Sequence, residues 1–239
     1  MTIQANFQDS STTNWSEDQK GTVRAAIASW ESLLGEHRGS GVDPVISANF
    51  TFGSLGSGVL GEWSATSGPQ FAGTDLYPWT PGMTHTIQLS ETNLWQLYFD
   101  LDTSTQDVPS NQFDAYTVIL HEIGHMLGFV DGFYVDDFST GAELDKWGRH
   151  ITGQTFDLGG LSIVLDADRS HLSATNGVTA GLAMAPTLNW MERREISPIE
   201  LAMLEKAYDY QVNPEPATAL LLGIGLLFLG RASQRARSA

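Results

Sequence analysis

The segment 113–127 constrains the fold most, because it combines a helical apolar pattern with a cluster of ionisable side chains. Its apolar residues include Ile119, Leu120, Ile123, Met126 and Leu127. Residues four apart lie on one face of a helix, so His121 and His125 point in the same direction. Burying two histidines and the intervening Glu122 is costly unless something compensates for it. The segment therefore predicts a buried helix that brings two imidazoles and a carboxylate to one place.

Two histidines at this spacing, with a glutamate after the first, are typical of zinc enzymes. Zinc favours nitrogen ligands, and His121 and His125 offer two of them. Glu122 follows the first ligand, where it can deprotonate a zinc-bound water that then attacks a carbonyl carbon. The motif predicts a Zn2+ site with His121 and His125 as ligands and Glu122 as the general base.

The continuation of this motif resembles the metzincin clan of zinc peptidases. Gly124 lowers helix propensity and so indicates close packing at that position. Gly128 allows the chain to leave the helix sharply, in a left-handed conformation. The clan's usual string has a third histidine three residues after this glycine, but Asp131 stands there in this chain. This chain therefore departs from the metzincin sequence pattern at the position of the third metal ligand.

Two residues are candidates for that ligand. Asp131 is near enough to the helix, and some metzincins use an aspartate there, but it also begins an ordinary Asp-Gly turn dipeptide. His171 precedes a Leu-x-Met-x-Pro sequence and a capped helix, which resembles leishmanolysin-like metzincins with an insertion, here 129–170, before the third histidine. We select His171, because imidazole is the commonest zinc ligand, and keep Asp131 as the alternative. The same resemblance implies that Met184 is the Met-turn residue beneath the ligands.

Helix and strand signals place this site in an α+β fold. Ser16 begins the first helix with a capping box, and Ser197 with Pro198 begins the last. The resemblance implies a metzincin-like zincin fold, with a twisted, mostly parallel sheet packed on the first helix and the active-site helix. A smaller C-terminal part would hold the Met turn and the last helix, with the cleft between. An extended substrate would bind along an edge strand, for which we select residues 86–89.

Composition agrees with one folded domain, assigned to residues 1–210, and excludes several classes of function. A chain of 239 residues, 41% of them hydrophobic, can bury a core. A formal net charge of −16 argues against nucleic acid as a partner, because phosphate binding needs a basic surface. The absence of cysteine excludes disulfides, thiolate zinc ligands and thiol nucleophiles.

Residues 211–239 are assigned to a linker and a tripartite tail. Pro214, Glu215 and Pro216 are followed by an uncharged apolar run, 217–230, and then by three arginines. This order resembles the PEP-CTERM sorting signal of Gram-negative bacteria. The resemblance implies an exosortase-type processing enzyme as a partner, a tail that enters the membrane, and export to the cell envelope, the cell surface or the extracellular space. A plain membrane anchor or a buried terminal helix is the alternative for the apolar run.

Together these features predict a zinc-dependent endopeptidase that hydrolyses a protein or peptide substrate. Two alternatives stay open. One is a metal-dependent hydrolase of another bond, since activated water is not specific to amides. The other is a non-catalytic surface or biofilm-matrix protein on the same fold, against which the intact Glu122 argues.

Overall fold

The computed structural model describes residues 1–37, 45–66, 84–130, 150–177 and 179–213. They form a mixed α+β fold around a four-stranded sheet. Its strands, in chain order, are β1 (Thr2–Gln8), β3 (Val45–Gly53), β4 (Gly61–Thr66) and β5 (Thr84–Ser90). In space the order is β1-β3-β5-β4, with β1, β3 and β5 parallel and β4 antiparallel to β5. The predicted α+β class and mostly parallel sheet are therefore observed.

The first helix, α1 (Glu17–Leu33), shares one hydrophobic core with this sheet and with the helix that carries the predicted site. Its N-terminus has the predicted capping box, since the Ser16 hydroxyl accepts from the Gln19 N–H and the Gln19 side chain accepts from the Ser16 N–H. On its buried face, the indole N–H of Trp30 donates to the main-chain oxygen of Leu120 at 3.1 Å. A bond of this kind inside the core fixes the separation of the two helices.

The site-bearing helix, α2 (Ala115–Leu127), is buried at every residue except His121. Asp114 caps its N-terminus by accepting from the Thr117 N–H at 3.0 Å. The guanidinium of Arg193 lies 2.8 Å from the Asp114 carboxylate, and both side chains are fully buried. The N-terminal end of α2 is thus anchored to the C-terminal part of the chain by a buried ion pair.

Gly128 ends α2 in a conformation that requires glycine, with φ at 131°. A side chain at this position would also collide with the ring of Tyr208. The hydroxyls of Tyr208 and Tyr210 donate to the main-chain oxygens of Gly128 and Leu127, at 2.9 and 3.1 Å. These bonds satisfy helix-end carbonyls that have no partner within the helix.

The remaining elements are short, apart from α3. They are β2 (Leu34–His37), a 3-10 turn (Leu94–Gln96), β6 (Leu97–Tyr98), β7 (Phe113–Asp114), β8 (Ile151–Thr152), β9 (Thr155–Leu158), β10 (Leu161–Val164), α3 (Pro198–Tyr208) and β11 (Tyr210–Val212). β8, β9 and β10 form an antiparallel sheet, β2 pairs with β11, and β6 pairs with β7. The predicted capping box of α3 is present at Ser197 and Glu200.

Two predictions about the fold are wrong. Residues 86–89 do not lie on an edge strand, because β5 pairs with β3 on one side and with β4 on the other. Among the described strands, the two edges of this sheet are β1 and β4. The linker does not begin at Gln211, because β11 extends to Val212, which pairs with Leu34 of β2.

In the described part of the chain, no helix is long and apolar enough to cross a membrane. Several residues singled out in the sequence lie outside this part, namely Asp131, Pro214, Glu215, Pro216 and the apolar run 217–230.

Candidate metal centre

Three histidines converge beside α2. The Nε2 atoms of His121, His125 and His171 form a triangle in which each pair is 3.1 Å apart. His121 and His125 come from successive turns of α2, as the four-residue spacing predicts. His171 comes from a loop 46 residues after His125. The structure therefore brings the distant His171 to the two helical histidines, within reach of one metal ion.

The loop that carries His171 is fixed on both sides. The main-chain oxygen of His171 accepts from the Asp166 N–H at 2.9 Å, and Leu165 pairs with Leu172 across the loop. The N–H of Leu172 donates to the main-chain oxygen of Met184 at 2.9 Å. The position of His171 is thus set by main-chain bonds to its own loop and to the segment around Met184.

Each histidine is oriented by an acceptor on its other ring nitrogen. Nδ1 of His121 lies 2.8 Å from the main-chain oxygen of Ala183, and Nδ1 of His125 lies 2.6 Å from that of Phe129. Nδ1 of His171 lies 2.5 Å from a carboxylate oxygen of Asp168. Carbonyl and carboxylate oxygens only accept, so each Nδ1 carries the proton and donates it. Every Nε2 then presents a lone pair to the centre of the triangle.

This arrangement fits a divalent metal ion. Burial lowers the pKa of His125 to about 4 and holds the pKa of His121 well below its ordinary value, and neighbouring histidines lower both further. Both rings are therefore neutral near pH 7, the state in which imidazole binds a metal. Lone pairs aimed at one point repel each other unless a cation lies among them, and imidazole donors suit zinc and other transition metals.

Glu122 lies in the cleft next to this triangle and packs against β4. Its carboxylate accepts a hydrogen bond from the main-chain N–H of Trp63. Gly61 makes room for it, since a Cβ there would lie 3.1 Å from the carboxylate and closer still to Val118. Burial raises the pKa of Glu122 to about 8, against the effect of the bond from Trp63. An adjacent metal cation would favour the ionised carboxylate.

The cleft around these residues has a volume of about 710 Å³. Edge strand β4 forms one wall, and its Trp63 ring stacks near His125 with centroids 6.4 Å apart. α2 forms the base, and residues 185–188 form the facing wall. The cleft is therefore open between a sheet edge and a loop, a shape that admits an extended chain.

Met184 packs tightly beneath the histidines. It is fully buried, and a Cβ at Gly124 would collide with its sulfur. The predicted close packing at Gly124 is thus explained by this methionine. The N–H of Met184 donates to the Glu200 carboxylate at 2.6 Å, while the same carboxylate caps α3 through the Ser197 N–H. Glu200 therefore ties the segment around Met184 to α3.

Arg194, which also lines the cleft, holds the facing wall in place. Its guanidinium donates to the main-chain oxygens of Leu182, Ala185 and Thr187. Glu192 accepts from the same guanidinium at 2.8 Å. A guanidinium with hydrogen bonds from all three of its nitrogens fixes a loop that has no regular secondary structure.

Sequence reasoning missed several residues that matter to the site. Asp168 had a local signal, because an aspartate three residues before His171 can accept from that residue's backbone in a turn. Glu200 stands at the position of a helix-capping acid after Ser197, but nothing in the sequence indicates its second bond, to the Met184 N–H. The acceptors at Ala183 and Phe129 are main-chain oxygens, which any residue type provides.

No protein-family model matches this chain, and no curated protein matches it.

Proposed function

We propose that this chain is a zinc-dependent endopeptidase with a metzincin-like fold. The observation that carries the proposal is the set of three imidazoles, each held by a hydrogen bond at Nδ1, beside the carboxylate of Glu122 in an open cleft. Three histidine ligands leave one position for water or substrate, which is typical of catalytic rather than structural zinc sites. The tightly packed Met184 and the glycine-terminated α2 are further features that the metzincin resemblance implies.

A zinc ion at this site would supply Lewis acidity, which acidifies water and polarises a carbonyl oxygen. Glu122 takes the proton from the attacking water and passes it to the amine that leaves when the peptide bond breaks. The N–H of Trp63 holds the carboxylate in place for both transfers. His121, His125 and His171 keep their Nδ1 protons throughout, because their acceptors cannot donate in return.

Polypeptide is the substrate that best fits the shape of the cleft. β4 is an edge strand and one wall of the cleft. An extended peptide can add to such an edge through main-chain hydrogen bonds, which do not depend on side-chain identity. This edge takes the role first assigned to residues 86–89.

Export is the second part of the proposal and depends on the tail alone. The Pro214-Glu215-Pro216 triplet, the apolar run 217–230 and the arginines after it resemble a PEP-CTERM signal. We propose that an exosortase-type enzyme processes this tail and that the peptidase acts in the envelope or outside the cell of a Gram-negative bacterium. The last described element, β11, ends before the triplet, so processing of the tail would cut none of the described strands.

Glu122→Gln tests the mechanism. The variant should bind zinc as the wild type does, because Glu122 is not a ligand, and should hydrolyse an unfolded protein substrate about 10²- to 10⁴-fold more slowly. Metal content is measured by elemental analysis, and hydrolysis by mass spectrometry of the products. Incubation of the wild type with a chelator should abolish hydrolysis, and added zinc should restore it.

Glu17→Gln is the matched control, since it makes the same chemical change on the exposed first turn of α1. It should leave both zinc content and hydrolysis unchanged. Retention of most hydrolysis by Glu122→Gln would refute the mechanism. A wild-type protein that binds zinc, cleaves esters and leaves all peptides intact would instead be a hydrolase of another bond.

A further inference from the structure

Large apolar side chains are exposed on the surface beside the cleft. Trp190 is 47% exposed, Met191 53% and Trp95 65%. Phe113 connects them to the cleft, because it lines the cleft and its ring packs edge-to-face on Trp190 with centroids 5.4 Å apart. We call Trp95, Phe113, Trp190 and Met191 the aromatic shelf. Clustered exposed apolar side chains on a soluble protein usually mark a binding surface.

Hydrogen bonds to main-chain oxygens hold the aromatic shelf together. The Met191 N–H donates to the main-chain oxygen of Gln112 at 3.1 Å, and the Gln112 side-chain amide donates to the main-chain oxygen of Trp95 at 3.2 Å. Met191 adopts a left-handed conformation, with φ at 64°. This conformation is uncommon for a residue with a side chain and needs support from its surroundings. Three separate segments are therefore fixed relative to one another, and Trp190 is presented without regular secondary structure of its own.

Further bonds join the residues on either side of Trp190 and Met191 to the wall of the cleft. The Glu192 carboxylate accepts from the Asn189 N–H at 3.0 Å and from Arg194 at 2.8 Å. Arg194 in turn fixes the cleft wall at Ala185 and Thr187. A ligand that lies in the cleft and continues past Phe113 thus meets a preorganised aromatic surface, which loses little conformational entropy on binding.

We propose that the aromatic shelf binds a large apolar side chain of the polypeptide substrate, a few residues from the scissile bond, on the side that faces Phe113. This inference rests on the proposed function. The four residues of the aromatic shelf carry no charge, so the shelf suits an aromatic or large aliphatic side chain better than a polar one. Such side chains are buried in folded proteins, so the preferred substrate is a flexible or unfolded chain with an accessible aromatic residue.

The experiment measures binding without turnover. Zinc-loaded Glu122→Gln is titrated with end-capped ten-residue peptides of Gly and Ser in which one Phe is moved along the chain, and affinity is read by fluorescence anisotropy. The peptide with Phe at one particular position should bind most tightly. Adding Trp190→Ala should lower the affinity for that peptide roughly 2- to 10-fold. The all-Gly/Ser peptide should be unaffected by the same substitution. Trp190→Phe should keep most of the affinity.

Leu161→Ala serves as the control, since Leu161 is 55% exposed on β10 and does not line the cleft. It should leave every peptide affinity unchanged. If Trp190→Ala lowered the affinity for the Phe and the Gly/Ser peptides equally, or changed neither affinity, the proposal would be overturned. A change of oligomeric state in sedimentation with unchanged peptide affinities would also overturn it, by assigning the shelf to a second copy of the chain.

The outcome separates this inference from the proposed function. If the wild type hydrolyses no peptide while Phe peptides bind in a Trp190-dependent way, the peptidase assignment fails and the shelf stands as a peptide-binding surface. If the wild type hydrolyses peptides and Trp190→Ala changes no affinity, the shelf inference fails alone.

Discussion

Asp168→Asn should weaken metal binding although Asp168 is not a ligand. One carboxylate oxygen of Asp168 accepts from the N–H groups of Ser170 and His171, at 3.0 and 3.2 Å. The other accepts from Nδ1 of His171 at 2.5 Å. An asparagine that keeps its oxygen on the two N–H groups turns its NH2 group toward Nδ1. A donor would then face a donor, so His171 would move its proton to Nε2, the atom that should bind the metal.

The expected loss of metal affinity depends on the strength of the bond between Asp168 and Nδ1 of His171 and on its exposure to water. Loss of a charge-assisted hydrogen bond costs roughly 1.5–3 kcal/mol. The Asp168 side chain is 54% exposed, so water screens the bond and the lower end of that range applies. About 1.4 kcal/mol corresponds to a factor of ten in affinity, the lower end of the 10- to 100-fold loss that is typical when such supporting acids are replaced.

Competition with a chromophoric chelator measures this affinity directly. Asp157→Asn is the matched control, because Asp157 accepts from the Gly160 N–H and pairs with Lys206, away from the metal site. It should bind metal as tightly as the wild type, and both variants should keep the wild-type circular dichroism spectrum. An Asp168→Asn protein whose zinc affinity stays within a factor of two of the wild type would refute the argument that Asp168 sets the tautomer of His171.

Two further predictions concern the fold. Arg193→Ala should lower the free energy of unfolding in urea by about 3–5 kcal/mol, because it leaves the buried Asp114 carboxylate unpaired. Lys20→Ala, which removes an exposed pair with Glu17, should cost less than about 1 kcal/mol, and equal losses for the two variants would contradict this reasoning. Truncation after Asn213 should release the protein from the envelope and leave its unfolding midpoint and hydrolysis unchanged; a truncated protein that no longer folds would show that residues 214–239 belong to the core.

Local rules predicted the helices of this chain well. Ser16 and Ser197 each begin a capping box, and both helices start where these residues place them. The histidine spacing on α2 and the requirement for glycine at 128 are equally local, since each depends on a single helix and its end. Such features involve bonds between residues close in sequence, and a sequence displays them directly.

The order of strands was not predictable in the same way. Residues 84–90 and 61–66 both have the composition of strands, and nothing in either segment shows which lies at the edge. β5 became an inner strand because β3 pairs with one of its sides and β4 with the other. The position of the substrate-binding edge is thus a consequence of pairing between distant segments. The third histidine lies 46 residues after the second, so no local spacing predicts it. Its imidazole chemistry and a family resemblance indicate it, and the acid that orients it was missed.

The metal should also stabilise the fold, because the candidate ligands come from two separate parts of the chain. His121 and His125 belong to α2, while His171 belongs to a loop held mainly by Leu165, Leu172 and the segment around Met184. A metal bound to the native state alone raises the free energy of unfolding by about 2.7 kcal/mol when its free concentration is 100 times Kd.

Urea unfolding with zinc and with a chelator should show this increment for the wild type, and His171→Ala should abolish most of it. His150→Ala, which changes a histidine outside the triangle, should lose no part of the increment whatever its own stability. If zinc stabilised His171→Ala as much as the wild type, the metal would be held by other ligands, and the triangle of imidazoles would not be the metal site.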